Sequence, residues 1–536
     1  MNRIFKVPVI IVVLTIGIVL GIQIEKIFSD DNLRDGVQKL NDVLAYTQKY
    51  YIEEVDTPKL VDAAIKGITD ELDPHSFYIS AKDFASVEES FRGDFEGIGI
   101  EFQIVNDTIT VVSPITGGPS EALGILPGDR IVKIEDENCI GFNNDQVREK
   151  LKGKAGTKVN VTISRTGVAE LINFEITRDK IPIYSVDASL MLQNKTGYIS
   201  VSRFSETTFD ELNEALTKLK QQGMTQLILD LRGNPGGYLS QAVEMADLFI
   251  SGKKKIVYTE GRRKDTDEEY FASKTSPYEE TPLIVMINHG SASASEIVSG
   301  AIQDWDRGLI IGETSFGKGL VQRQFTLPDN SAIRLTISKY FTPSGRSIQR
   351  DYSDKKKYED YYSNLEDSSG TEGDNLEHSA EQDSTKPIYH THSGRIVYGG
   401  GGITPDYLIK NEKITNYTSN LLRQNVFYQF ILNYVESNGK AITSKYNNDL
   451  HKFANEFEFS ETTMNNFIAF ATSKEVPFNE NEYKTDKNYI QTRLKAQLAR
   501  NYWKNDGWYT VMITTDNQVN TALGLFGEAK EIANLK

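Results

Sequence analysis

Two short apolar runs, each leading directly into a turn of small residues and then an amphipathic stretch, constrain this chain more than any other feature. The first, Leu227-Ile228-Leu229-Asp230-Leu231, enters Arg232-Gly233-Asn234-Pro235-Gly236-Gly237. The second, Leu283-Ile284-Val285-Met286-Ile287, passes through Asn288-His289-Gly290 into Ser291-Ala292-Ser293-Ala294-Ser295-Glu296. Strand, tight turn and helix in that order belong to an α/β sheet. The arrangement sets backbone N–H groups and a positive helix end at the carboxyl ends of the strands. A third segment, Gly312 to Gln322, frames Lys318 between Gly317 and Gly319.

A serine at a helix start, glycine amides and a closely framed lysine suit acyl transfer. A serine hydroxyl needs a base within hydrogen-bond reach, and the anion it generates needs preorganised donors. Lysine serves as that base only when neutral, and an apolar seat lowers an ammonium pKa by as much as ~3 to 5 units. Phe316, Leu320 and Val321 offer such a seat. Histidine is a poorer candidate: only His289 lies near the serine, while His378, His390 and His392 fall in a polar stretch. An extended segment would leave Lys318 and Gln322 on one side but ~13 Å apart, so contact between them requires a bend, which Gly317 and Gly319 allow.

Taken together, Asp-Leu-Arg-Gly-Asn-Pro-Gly-Gly, Ser-Ala-Ser-Ala-Ser-Glu and Gly-Lys-Gly with Gln322 four residues beyond the lysine resemble the carboxyl-terminal processing, or tail-specific, serine peptidases. The resemblance implies Ser293 as nucleophile, Lys318 as general base and Gln322 as the residue that orients the lysine. It also implies an oxyanion hole made by the amide of Ala294 and one from the pair Gly236 and Gly237, with the choice between the two left open. No metal or organic cofactor is implied. Simpler roles exist for the same residues. Ser293 with Glu296 fits a capping box, the glycine turn could cradle a phosphate, and Lys318 could be a solvated charge. The turn lacks the Gly-x-Gly-x-x-Gly spacing and the terminal Lys-Ser/Thr of nucleotide loops.

Around this core the chain divides by composition and period. After Arg3 and Lys6, Val7 to Ile24 carries no charge and is just long enough to span a bilayer. It reads as an uncleaved signal anchor within 1–27, with a cleaved signal peptide as the alternative, and either one sends the remainder out of the cytoplasm. Residues 28–88 read as helical, punctuated at Asp56-Thr57-Pro58 and Leu72-Asp73-Pro74-His75-Ser76. Over 89–180 the period shifts to two, and Gly124-Ile125-Leu126-Pro127-Gly128-Asp129 amid short strands resembles a PDZ domain. Such a domain adds an extended peptide to a sheet edge and holds its terminal carboxylate on loop amides, here Gly97, Ile98, Gly99 and Ile100.

Residues 181–410 form the α/β core, interrupted at 351–393 by a polar, carboxylate-rich stretch that reads as a surface insertion. Residues 411–536 read as amphipathic helices that pack on one another or on a partner. A net charge of −16 without a basic stripe argues against a nucleic-acid partner, and the single Cys139 excludes an internal disulfide framework.

The expectation is a multidomain α/β protein: an N-terminal membrane anchor, a helical segment, a PDZ-like β domain, a Ser/Lys peptidase core and a C-terminal helical region. It faces the periplasm or cell exterior, acts on proteins or peptides with exposed carboxyl termini, and could form a homo-oligomer. The rival expectation is a noncatalytic membrane-anchored PDZ scaffold in which Ser293 only caps a helix. A third uses the glycine amides on a thioester or phosphate.

Overall fold

The computed structural model describes residues 31–354, 373–376, 386–446 and 449–535. The apolar run Val7 to Ile24 and most of the polar insertion lie outside them. Among the described residues no helix is long and apolar enough to cross a membrane. The chain forms two compact units, one of residues up to Ala81 with Gln324–Leu335, the other of Lys82–Arg323 with Thr336–Lys536.

In the first unit, helices Asp31–Tyr50 and Thr57–Asp70 follow the helical spacing of their sequence. Asp56 caps the second by accepting the Lys59 N–H, with proline in its first turn. Asp73 then closes a turn, accepting the N–H groups of His75 and Ser76 at 2.8 and 2.9 Å. Its carboxylate thereby ends the helical pattern, and Phe77–Ile79 pairs as an antiparallel strand with Ala332–Arg334. The helical expectation fails at these three residues because two aromatics and an isoleucine beside a free edge are better strand than helix formers.

The second unit opens with the PDZ-like domain. Strands Ile100–Val105, Thr108–Pro114, Arg130–Ile134, Lys158–Ser164 and Ile172–Thr177 form an antiparallel sheet in that order. Helix Asn144–Leu151 is held by a capping box between Asn143 and Gln146. Alternation does what its period predicts: Val159, Val161 and Ile163 turn inward onto Ile109, Val111, Ile131 and Val147. Cys139 lies in this core, and burial pushes its thiol up to about 11.

The peptidase-like core is a seven-stranded sheet, ordered Val186–Leu192, Thr196–Val201, Gln226–Asp230, Leu283–Ile287, Leu309–Gly312, Tyr407–Leu408 and Gly373–Asp374. Its central strands run parallel. The two apolar runs are continuous rather than alternating because both sheet faces are covered. Leu227, Leu229, Leu283, Val285 and Ile287 face a core built with helices Thr208–Gln221, Leu239–Asp247 and Ala294–Asp304. Ile228, Ile284 and Met286 face a second core that contains Val519, Ala522, Phe526 and Ala529 from the last two helices of the chain.

Backbone pairing also draws parts of the polar stretch into the fold. Gly373–Asp374 forms an edge strand, and Ile388–His390 pairs with Ile396–Tyr398. Ladder hydrogen bonds do not require apolar side chains, so composition alone does not reveal them.

The C-terminal region is helical, with its own core of residues such as Leu421, Phe427, Phe453, Phe467, Ile490 and Leu494. It also packs on the PDZ-like domain. Arg500 pairs with Glu101, Arg130 with Glu436, and Lys504 donates to Glu121 and Thr116. Lys504 lies at a break in the helix Glu480–Met512, where its φ is 53°.

Candidate active site

Ser293 sits where the second apolar strand turns into a helix, and the turn is cross-braced to the first glycine turn. Ser291 Oγ accepts the Asn288 N–H at 2.9 Å and donates to the Leu231 carbonyl at 2.8 Å. Asn288 Oδ1 accepts the N–H groups of Gly233 and Gly290. At the apex Ser293 has φ 54° and ψ −109°, a region that costs a non-glycine residue ~1–3 kcal/mol and is found where the surroundings enforce it. The N–H groups of Glu296 and Ile297 both bond to the Ser293 carbonyl at 2.9 Å. The Glu296 side of the expected capping box is the hydrogen bond from Ser293 N–H to Glu296 Oε2 at 2.8 Å.

Glu296 does more than cap. It is fully buried, and its carboxylate gathers the lysine segment as well. Oε1 accepts from the Ser315 hydroxyl at 2.5 Å and the Gly317 N–H at 2.7 Å, and Oε2 also accepts the Lys318 N–H at 3.0 Å. Burial holds its carboxyl above the usual glutamate range, against the opposing pull of these hydrogen bonds. One carboxylate therefore ties the serine turn to the lysine loop. A further contact joins the same pieces, Phe316 N–H to the Ser291 carbonyl at 2.9 Å, and the Tyr340 hydroxyl donates to the Ser293 carbonyl at 3.1 Å.

Lys318 Nζ donates to Gln322 Oε1 at 2.7 Å. The required bend is present. Gly317 has φ 91°, and the strand begins only at Leu320. Gly319 lies so close to Gln349 that a Cβ there would stand 2.9 Å from the Gln349 nitrogen. The glycines that frame the lysine thus supply a turn and a close approach.

The two candidate glycines differ. Gly236 spends its N–H on Asn234 Oδ1 at 2.9 Å, and a Cβ on it would meet Ser293 Cβ at 2.8 Å and the Ala294 nitrogen at 2.9 Å. Gly237 forms a parallel bridge with Phe204, in which Phe204 N–H bonds the Gly236 carbonyl and Tyr238 N–H bonds the Phe204 carbonyl. The Gly237 N–H takes no part in that bridge, and its φ of 152° and a Cβ-to-Phe204 oxygen approach of 2.0 Å admit only glycine. Ala294 opens the helix, where N–H groups have no intrahelical acceptor. Asn234 holds the loop, with Nδ2 on the Val201 carbonyl and its own carbonyl accepting from Ala292 N–H and Ser295 Oγ.

Ser293, Ala294, Gly236, Gly237, Lys318 and Gln322 therefore occupy one cluster, while Gly97 to Ile100 forms a separate feature of the PDZ-like domain. There, Gly99 has φ 73°, its carbonyl accepts from Ile115 N–H, and the Ile98 carbonyl accepts from the Ser120 N–H and hydroxyl. The strand that follows, Ile100–Val105, pairs on one side only with Thr108–Pro114, which leaves an edge among the described residues. Sequence reasoning missed Glu296 as a tie, Tyr340 and Asn234. The signal available for Glu296 was an acid three residues past the serine inside an otherwise apolar helix.

The model for peptidase family S41 matches residues 195–354, a PDZ domain model matches 110–165, and a family of unknown function (DUF8443) matches 417–504. The carboxy-terminal-processing protease of Bartonella bacilliformis is 39% identical over 325 residues, which cover 60% of this chain and 74% of that one. The carboxy-terminal processing protease CtpA of Bacillus subtilis is 39% identical over 313 residues, 58% of this chain and 66% of its own. Among solved structures, the photosystem II D1 C-terminal processing protease is 28% identical over 57% of this chain and 83% of that one, with a TM-score of 0.33. With the serine turn, the lysine loop and the glycine turn joined as described, and with relatives this similar across most of their length, the chain belongs to peptidase family S41.

Proposed function

We propose that the chain is a serine endopeptidase of the carboxyl-terminal processing type, working through Ser293, Lys318 and Gln322. Neutral Lys318 removes the Ser293 hydroxyl proton as Oγ attacks the substrate carbonyl. The carbonyl electron pair moves to oxygen, which the amides of Gly237 and Ala294 stabilise. The protonated lysine then delivers its proton to the leaving amine, and water, deprotonated by the lysine in turn, releases the acyl group. Gln322 fixes the amine's direction through its 2.7 Å hydrogen bond. Gly237 is the favoured glycine because the Gly236 N–H is engaged by Asn234.

The observation that carries this reading is the Glu296 tie, which holds a strained serine and the lysine loop on one buried carboxylate. The PDZ-like domain would take an exposed carboxyl terminus on the amides of Gly97 to Ile100 and add the tail to the free edge of Ile100–Val105. The run Val7 to Ile24 would anchor the chain, with the catalytic part in the periplasm or cell exterior.

The test is cleavage of an unfolded protein by the full chain in detergent micelles, beside folded Ser293→Ala and Lys318→Ala. Loss of cleavage in both is expected. An inert parent that still binds tails would put the scaffold in place of the peptidase. Amidating the substrate's carboxyl terminus is expected to raise KM, and membrane extraction that requires detergent is expected for the anchor.

A further inference from the structure

The helical tail reaches the glycine turn through one residue that the catalytic reading leaves unused. Arg232 follows strand Gln226–Asp230 and directly precedes Gly233. Its guanidinium is largely buried and is held from two directions. Asp230 takes Nε at 3.0 and 3.1 Å and Nη2 at 2.6 Å, an arrangement made within the core. From the tail, Asp516 Oδ2 takes Nη2 at 2.8 Å and Gln518 Oε1 takes Nη1 at 2.8 Å.

Both tail partners are themselves fixed. Asp516 Oδ1 caps helix Asn517–Gly524 by accepting Val519 N–H, and fully buried Gln518 donates to the Ile409 carbonyl. Tyr198 closes the network with its hydroxyl on Asp230 Oδ2 at 2.7 Å. Every nitrogen of the guanidinium thus has an acceptor, and its plane is set.

Past Arg232, the turn to Gly237 is short and held on its other side by Asn234 and Asn288. A change in where Arg232 sits therefore passes through the short backbone Gly233 to Gly236 to the Gly237 amide. Asp230 alone would anchor Arg232 to its own strand. The tail contacts add a second, independent fix and make the position of the turn depend on residues more than 280 positions away in sequence, at separations of 286 and 284.

We infer that Asp516 and Gln518 are positioning residues for the oxyanion-stabilising glycine turn, acting through Arg232. The inference rests on the peptidase reading above. Oxyanion donors must meet the developing charge within a fraction of an ångström, and a misplacement of ~1 Å costs about 100-fold. Substrate binding elsewhere in the cleft would not change. The role thus predicts a loss in kcat with KM held.

The experiment compares the full chain with Asp516→Ala, Gln518→Ala and Asp516→Asn, whose one acceptor oxygen must serve either Arg232 or Val519 N–H, since the carboxylate uses one oxygen for each. Readouts are kcat and KM on an unfolded protein, thermal melting, and affinity for a peptide aldehyde against the same peptide ending in an amide. As Lys318 takes its proton, Ser293 Oγ attacks the aldehyde carbon, a C–O bond forms and the carbonyl electron pair moves to oxygen, so the adduct requires the glycine turn. The amide only fills the cleft.

Expected are a kcat about 10- to 100-fold lower in the alanine variants, unchanged KM, weakened aldehyde but not amide binding, and a smaller kcat loss in Asp516→Asn than in Asp516→Ala. Should Asp516→Ala fail to fold, Gln518→Ala carries the test, since it removes a neutral partner only. A lower melting point with parental kcat and aldehyde affinity would overturn the inference and leave the peptidase reading standing. A parent that neither cleaves nor binds the aldehyde would bring down both.

Discussion

Replacing Glu296 with glutamine tests the tie at the centre of the site, and the outcome follows from counting donors. Two donors converge on each carboxylate oxygen: Ser315 Oγ and Gly317 N–H on Oε1, Ser293 N–H and Lys318 N–H on Oε2. Glutamine keeps one acceptor oxygen and puts an NH2 where the other was. At the Oε2 position that NH2 would face two backbone N–H groups, neither of which can turn. At the Oε1 position it would face a hydroxyl that can rotate to accept and one N–H that cannot, so this orientation prevails.

The cheaper orientation leaves the Gly317 N–H buried without an acceptor, at ~1–3 kcal/mol. Exchanging charge-assisted for neutral hydrogen bonds at the remaining donors weakens them by roughly half. Together these give about 2–4 kcal/mol, which lowers the melting point by ~4–16 °C at the 2–4 °C per kcal/mol of a domain of 150–250 residues. Because the slackened bond lies one residue from Lys318, kcat on an unfolded protein should fall about 10- to 100-fold. The assay is thermal melting beside steady-state cleavage. A Glu296→Gln protein that melts with the parent and cleaves at the parental rate would refute the reasoning.

Three other outcomes follow from single contacts. Gly237→Ala places a Cβ 2.0 Å from the Phe204 carbonyl oxygen at a φ of 152°, so no active protein is expected in a soluble cleavage assay, whereas a working variant would misplace the turn. Cys139, its thiol pushed up to about 11 by burial, should resist a thiol-specific disulfide reagent at pH 8. Only about one thiol in a thousand is ionised there, and labelling should await denaturant. Truncation after Met512 should uncover Ile228, Ile284, Met286, Leu309 and Ile311, which the last two helices cover. Loss of soluble protein and strong binding of a hydrophobic dye are expected, and a soluble truncated chain would contradict the assigned packing.

The residues proposed for the chemistry were easier to read than those that hold them in place. Ser293, Lys318 and Gln322 stand in short motifs whose order along the chain matches their proposed roles, and the framing glycines announce the bend that lets lysine and glutamine meet at 2.7 Å. The strand Lys158–Ser164 in the PDZ-like sheet could be read because one face alone is buried and the period is two. The short strands Phe77–Ile79, Gly373–Asp374 and Ile388–His390 gave no such signal, since three residues or fewer carry no period and their pairing is backbone chemistry. Between Gly236 and Gly237 the sequence is silent. The distinction arises from where Asn234 and Phe204 sit in space.

The helical tail shows most clearly why a core motif underdetermines a fold. A continuous apolar run such as Leu283–Ile287 says that both faces of its strand are buried, and the helices nearest in sequence account for one face. The other face needs a cover that the run does not specify, and any amphipathic helix of the right length would serve. Here the cover comes from Asn517–Gly524 and Phe526–Ile532. Having reached the sheet by that route, the chain meets the carboxyl end of strand Gln226–Asp230, where Asp516 and Gln518 find Arg232. Covering an apolar face explains why the last helices are present, and the buried guanidinium explains why polar residues stand at their start. The same helices thus close the core and bear on the glycine turn.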